Sequence, residues 1–206
     1  MFTEPDTWTG GVVEAWVSFP DDVVLPPALD ALWGHAMLDG PYSSRDMEPV
    51  FQRRLPRERW REPVYDNPFN RSDDSLSRTY AVVRLADGSR VPASVAVTDD
   101  LTEPIREIGI RLPLGALERV RDMSAFETEG GLPDWFDGLV EEIYGLIRSV
   151  WNAAPFEKGL IGLDASMYSV EEVLTDPYWQ EVVGVVSTVD GRLEWHPPRG
   201  RASDDG

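Results

Sequence analysis

Carboxylates dominate the side chains that could do chemistry here: the chain has two histidines, His35 and His196, and no cysteine. The lack of cysteine rules out disulfides, thiolate nucleophiles and sulfur-ligated zinc or iron. A histidine base, or a metal held by a histidine pair and a carboxylate, would have to bring His35 or His196 against an acid. No spacing in the sequence joins these two histidines. Adjacent acids recur at Asp21-Asp22, Asp73-Asp74, Asp99-Asp100, Glu141-Glu142 and Glu171-Glu172. Sequence neighbours do not share a helix face, so such pairs read as solvated charge rather than acid–base dyads. Asp99-Asp100 closes a predicted strand, a place where a divalent cation can be held, but the sequence identifies no third oxygen ligand. Phosphate-cradling glycine loops, a Gly-x-Ser-x-Gly elbow, His-Glu-x-x-His and calcium-loop spacings do not occur. No cofactor or metal is expected.

One acidic constellation has a pattern. Glu127, Glu129, Asp134, Asp137, Glu141 and Glu142 fall within 126–147, a stretch without a basic residue. On a predicted helix over 133–153, Asp134, Asp137 and Glu141 recur at spacings of three and four. They lie opposite an apolar stripe of Phe136, Leu139, Val140, Ile143, Ile147, Val150 and Trp151. The plain reading is a solvated helix face. Such a face ordinarily carries lysine or arginine that offsets repulsion between acids one turn apart, and here none occurs before Arg148. Tolerated repulsion is what a surface awaiting a cationic partner shows, so these six acids are the expected binding residues.

The global charge points the same way. Nineteen basic residues against thirty-seven acids leave −18 at neutral pH, a field that attracts basic proteins and repels nucleic acid and anionic lipid. The chain is polarised. Residues 1–44 hold seven acids and no lysine or arginine, whereas 45–78 hold eight arginines and seven acids. Over 122–190 fourteen acids meet only Arg148 and Lys158. The arginines of 53–61 surround Trp60 in the manner of a nucleic-acid patch. Glu58 and Glu62 among them, with the chain's overall charge, favour pairing with the protein's own acids instead. No apolar run approaches a membrane span. Glu4 and Asp6 stand where a signal peptide needs positive charge, so a cytoplasmic protein is expected.

The elements that must position these groups follow from periodicity. Residues 12–19 alternate Val13, Ala15, Val17 and Phe19 with Glu14, Trp16 and Ser18, a strand pattern. Pro26 and Pro27 can open a helix that continues through Leu29, Leu32, Trp33, Ala36 and Met37 until Gly40 and Pro41 stop it. Residues 40–78 contain five prolines and no sustained period, which predicts a long connection. Strands over 79–85 and 90–98 flank Asp87-Gly88, a hairpin signal, and a third strand over 105–112 completes a meander. A short helix over 115–123 precedes the long one. Next come a strand over 160–163, a helix over 169–174 and a hairpin of 182–187 with 192–196 around Asp190-Gly191.

Consecutive strands with singly inserted helices predict an α+β domain over 1–198. Its sheet is expected to be antiparallel or mixed, with helices packed mainly on one face, and a flexible tail follows over 199–206. An acidic, cysteine-free α+β chain with eight tryptophans and no catalytic signature resembles in overall character the bacterial immunity proteins that neutralise polymorphic toxins. That resemblance implies one-to-one binding of a basic toxin domain. Two other readings compete. One is a hydrolase or transferase that uses His35 or His196 with a carboxylate, in a pocket covered by 40–78. The other is a DNA-mimic regulator of a DNA-binding enzyme.

Overall fold

Alternation in Val12–Ser18 builds strand β1: Val13, Ala15 and Val17 are buried on one side, while Glu14, Trp16 and Ser18 point to the other. The computed structural model describes residues 1–59, 76–100, 105–123 and 132–199. Within them β1 lies inside a single eight-stranded sheet, between β5 (Ile105–Pro113) and β6 (Lys158–Leu163). The remaining strands are β2 (Leu38–Tyr42), β3 (Leu76–Arg84), β4 (Arg90–Asp100), β7 (Val183–Val189) and β8 (Arg192–His196). Their order is β2-β3-β4-β5-β1-β6-β7-β8, and every pairing is antiparallel. Together with the helices, this sheet makes the protein α+β.

Turn chemistry sets both hairpins where the dipeptides predict them. Gly88 takes φ +86° between β3 and β4, while Asp190 and Gly191 take +49° and +71° between β7 and β8. Only glycine, asparagine and aspartate adopt these angles at little cost.

The long helix, here α3, runs over Asp134–Ala153. Phe136, Leu139, Val140, Ile143, Leu146, Ile147 and Val150 are its buried stripe. It packs beside α1 (Pro26–Gly34) on the sheet face that carries Val13, Ala15, Val17, Ile108, Ile110 and Ile161. That one apolar cluster reaches from Ala81 and Val83 of β3 to Leu193 and Trp195, which pack against it from β8. Two contacts show how far the sheet bends to achieve this. Glu142 of α3 accepts the amide N–H of Ala86, just after β3, at 3.0 Å. Its neighbour Glu141 accepts the indole N–H of Trp195 on β8 at 2.8 Å. Six strand spacings separate β3 from β8, about 29 Å in a flat sheet at ~4.8 Å per strand, whereas consecutive Cα atoms are only about 3.8 Å apart. The sheet therefore curls around α3.

Among the described residues the opposite face has two separate covers. The N-terminal segment lays Phe2 and Trp8 on Tyr42, Tyr80 and Val82 of β2 and β3, with ring centroids 5.4–6.4 Å apart. Glu48 holds that segment by accepting from the Met1 α-amino group at 2.8 Å and from the Phe2 and Thr3 amides. At the other end of the sheet, α4 (Val170–Thr175) and α5 (Pro177–Val182) set Val173, Trp179 and Val182 against Leu160, Val183 and Val185. The helices thus occupy both faces, the two longest on one and this short pair on the other.

Several expected boundaries change. The first helix ends at Gly34, and residues expected to extend or stop it form β2, whose five residues are all buried. Burial on both sides removes the alternation that marks a strand, and Pro41 is tolerated because β2 is an edge strand. The connection expected over 40–78 is shorter: β2 occupies it through Tyr42 and β3 from Leu76, with 3-10 turns at Pro49–Phe51 and Arg57–Arg59. Residues 60–75 lie outside the described set. The helix expected over 115–123 contracts to α2 (Leu114–Leu117). Helix α5 was not expected, although Asp176 caps it by accepting the Tyr178 amide at 2.9 Å and Pro177 opens it.

Ile143 is fully buried at the middle of α3. Ile143→Ala is expected to lower unfolding free energy by about 2–5 kcal/mol in urea titrations followed by tryptophan fluorescence, the range for deleting a large aliphatic side chain from a core.

Candidate functional site

Of the six acids singled out from the sequence, Glu127 and Glu129 lie outside the described residues. The other four sit on α3, and the fold divides them. Asp134 and Asp137 stand exposed in the helix's first turn, where the macrodipole favours negative charge. Neither makes an ion pair with a described residue. Glu141 is exposed but holds Trp195, whose ring stacks on Tyr144 with centroids 4.8 Å apart and planes at 9°. Arg148 lies 5.8 Å over that Tyr144 ring, so the helix's one cation faces an aromatic group rather than an acid. Glu142, tied to Ala86, is half-buried.

The arginines pair elsewhere. Arg57 grips Asp30 through Nε and Nη2 at 3.1 and 2.8 Å. Arg119 bonds Glu4, and Arg121 bonds Asp87 at 2.7 Å. Arg54 bonds Asp39. Arg54 and Arg57 of the arginine-rich segment thus pair with acids of the first forty-four residues, and none of these pairs reaches α3.

Asp39 sits on β2 with its side chain 9% exposed. Tyr42 donates its hydroxyl to Oδ1 at 2.9 Å, beside Arg54. Arg84 of β3 donates Nη2 to Oδ2 at 3.1 Å, and Arg90 of β4 reaches the same oxygen at 3.5 Å. Burial alone would raise the pKa of this carboxyl. Hydrogen bonds from Tyr42 and Arg84 and the charge of Arg54 outweigh it and hold the group below the usual aspartate value.

A second carboxylate, Glu14 on β1, is wholly buried. Its Oε2 accepts the Trp16 indole N–H at 2.9 Å and lies 2.8 Å from Arg111 Nε, while its Oε1 accepts the Ser166 amide at 2.7 Å. The Trp16 ring lies flat against Gly109 of β5, where a Cβ would come within 2.7 Å of it. Beside this floor, between the two covers, is a cavity of about 490 Å³. Trp16, Ser18, Thr98, Glu107, Lys158 and Tyr168 are among its walls. Neither histidine lines it. His35 closes α1 and accepts the Met37 amide at 3.3 Å, with burial lowering its pKa; His196 is exposed at the end of β8, 3.8 Å from Glu194. Among the described residues no group of histidines and carboxylates is arranged to hold a metal ion.

Sequence reasoning missed Glu14 and Asp39 as structural centres. Glu14 reads as the solvent side of an alternating strand because the chain that covers it, near Ser166, is 152 residues away. No family model matches the chain, and neither the curated proteins nor the solved structures contain a match.

Asp39→Asn is expected to cost about 2 kcal/mol at pH 7, the scale of a lost charge-assisted hydrogen bond. The folded-state pKa is depressed, so the carboxylate stabilises above the unfolded value of about 4 and loses that contribution as pH falls through the folded one. Urea titrations of both proteins should therefore show the gap closing below pH ~4.

Proposed function

We propose that this protein is an acidic binding module of the immunity type: it docks a basic protein partner, such as a toxin domain, on the outer face of α3 and blocks it without turnover. The observation that carries the reading is Asp134 and Asp137, exposed and unpaired among the described residues on a rigid helix, with Glu141 one turn further on. Fixed position matters, because a carboxylate held by a packed helix meets a cation without first losing the freedom of a mobile loop. The long-helix side of the sheet is the docking side in this reading; Glu127 and Glu129, which precede the helix in the sequence, lie outside the described residues. The field of −18 speeds encounter with a basic surface and disfavours nucleic acid. No helix among the described residues is long and apolar enough to cross a membrane; we place the protein in the cytoplasm, where a toxin would be met.

The DNA-mimic reading uses the same surface and differs in the partner, which would be an enzyme that binds duplex DNA. The hydrolase reading draws no support from the cavity, since neither histidine lines it.

An immunity role expects the adjacent upstream gene to encode a large secreted protein with a basic C-terminal domain. Titrating that domain into the wild type and into Asp134→Asn/Asp137→Asn/Glu141→Gln should show the triple variant binding at least about tenfold more weakly, a loss near 1.4 kcal/mol. Its dependence on salt should also be shallower. Glu141→Gln keeps an acceptor for Trp195, so the melting temperature should hold. Affinity unchanged by the three substitutions would remove α3 from the interface, and competition by duplex DNA would move the assignment to a mimic.

A further inference from the structure

We propose that Arg54, Arg84 and Arg90 form a binding site for a phosphate-class oxyanion, built on Asp39 as its floor. The site is independent of the acidic face of α3.

The argument rests on layering. Three guanidiniums converge on one carboxylate, leaving a local surplus of two positive charges in a chain whose net charge is −18. The carboxylate is 9% exposed, whereas the arginine side chains are 58%, 55% and 50% exposed. Solvent therefore meets the cations and not the anion beneath them. Arg84 and Arg90 each turn only Nη2 towards Asp39 among the described residues, so Nε and Nη1 of both remain available as donors. Two planar forks presenting several N–H groups suit a tetrahedral oxyanion.

One arginine suffices to neutralise one aspartate, and the second and third add mutual repulsion that Asp39 alone does not offset. They come from three separate pieces of chain: the connection after β2, the end of β3 and the start of β4. The β3–β4 pairing places Arg84 directly opposite Arg90. Like charges at that cross-strand position are unfavourable unless an anion bridges them. Asp39 fills the inner side of the bridge, and a dianion from solvent fills the outer side. A terminal phosphate, free or on a small phosphomonoester, has the required charge and acceptor geometry.

Isothermal titration of the full chain with sodium pyrophosphate and with inorganic phosphate, at about 0.1 M chloride to screen weak surface association, should give saturable one-to-one binding. Arg84→Gln/Arg90→Gln should weaken it at least about tenfold, while Arg192→Gln on β8, at the opposite edge of the strand order from β2, should leave it unchanged. The double variant retains Arg54 and Tyr42 on Asp39 and should stay folded. If it does not, Arg90→Gln alone, which removes the longest contact, should weaken binding measurably. Shifts of the Arg84 and Arg90 Nε–H resonances during the wild-type titration should locate the ligand. Pyrophosphate binding with phosphate silent would assign the site to a diphosphate group. No binding, equal binding by the arginine variants, or acetate binding as tightly as phosphate would each overturn the proposal.

Discussion

The structure depends on burying the apolar stripe of α3. A helix of twenty residues is about 30 Å long, and no single strand pair can cover Phe136 through Val150. The sheet and α1 do so together, and the sheet curls until Ala86, just after β3, and Trp195 of β8 reach adjacent residues of the same helix. Twist alone inclines neighbouring strands to one another; the helix in the concave side turns that tendency into closure around one core. The alternation of β1 then has a clear purpose, since Val13, Ala15 and Val17 sit in the innermost layer with all three essentially inaccessible.

Curling has a consequence for the other side. A convex sheet face spreads its side chains apart, and no single element among the described residues covers all of it. The N-terminal segment covers the β2–β3 end with Phe2 and Trp8, and the α4–α5 pair covers the β6–β7 end. In the strip between them Trp16 donates to Glu14, Ser18 donates to Glu107 and Arg111 lies in ion-pair range of Glu14, with the cavity above. Glu14 shows how polar burial is tolerated at this seam. A wholly enclosed carboxylate is costly unless its oxygens are bonded, and an indole, a backbone amide and a guanidinium surround it.

What the sequence discloses follows the same division. Elements whose two sides differ in residue chemistry, such as β1 and α3, are legible because that difference imprints a period of two or 3.6 on the sequence, even where the polar side is covered as at Glu14. The two hairpins that turn at Asp-Gly are legible because that dipeptide supplies backbone angles that other residues resist. Strand β2 is illegible because Leu38, Asp39, Gly40, Pro41 and Tyr42 show no apolar–polar alternation although all five are buried, and Gly-Pro looks like a stop. Helix α5 had a readable signature in Asp176-Pro177, a capping residue followed by the proline that helix starts prefer. The centres at Glu14 and Asp39 depend on partners distant in sequence, and local pattern carries no trace of them.

Charge obeys a similar logic of distance. The sequence shows an acidic opening, an arginine-rich middle and an acidic final third, and that order alone does not say which acids the arginines meet. Had the middle folded over α3, its arginines would have cancelled the helix's field. Instead Arg54 and Arg57 turn back to Asp39 and Asp30, and the partners recorded for Arg119 and Arg121 are Glu4 and Asp87. Even Arg148, on α3 itself, lies over an aromatic ring. Cancellation is therefore concentrated in the β2–β4 half of the molecule, to the point of local excess at Asp39, while Asp134 and Asp137 have no described counter-ion. A uniform acidic coat would have required neither feature. Segregation of this kind crowds three arginines on one aspartate at the β2–β4 end and leaves the first turn of α3 with its acids alone among the described residues.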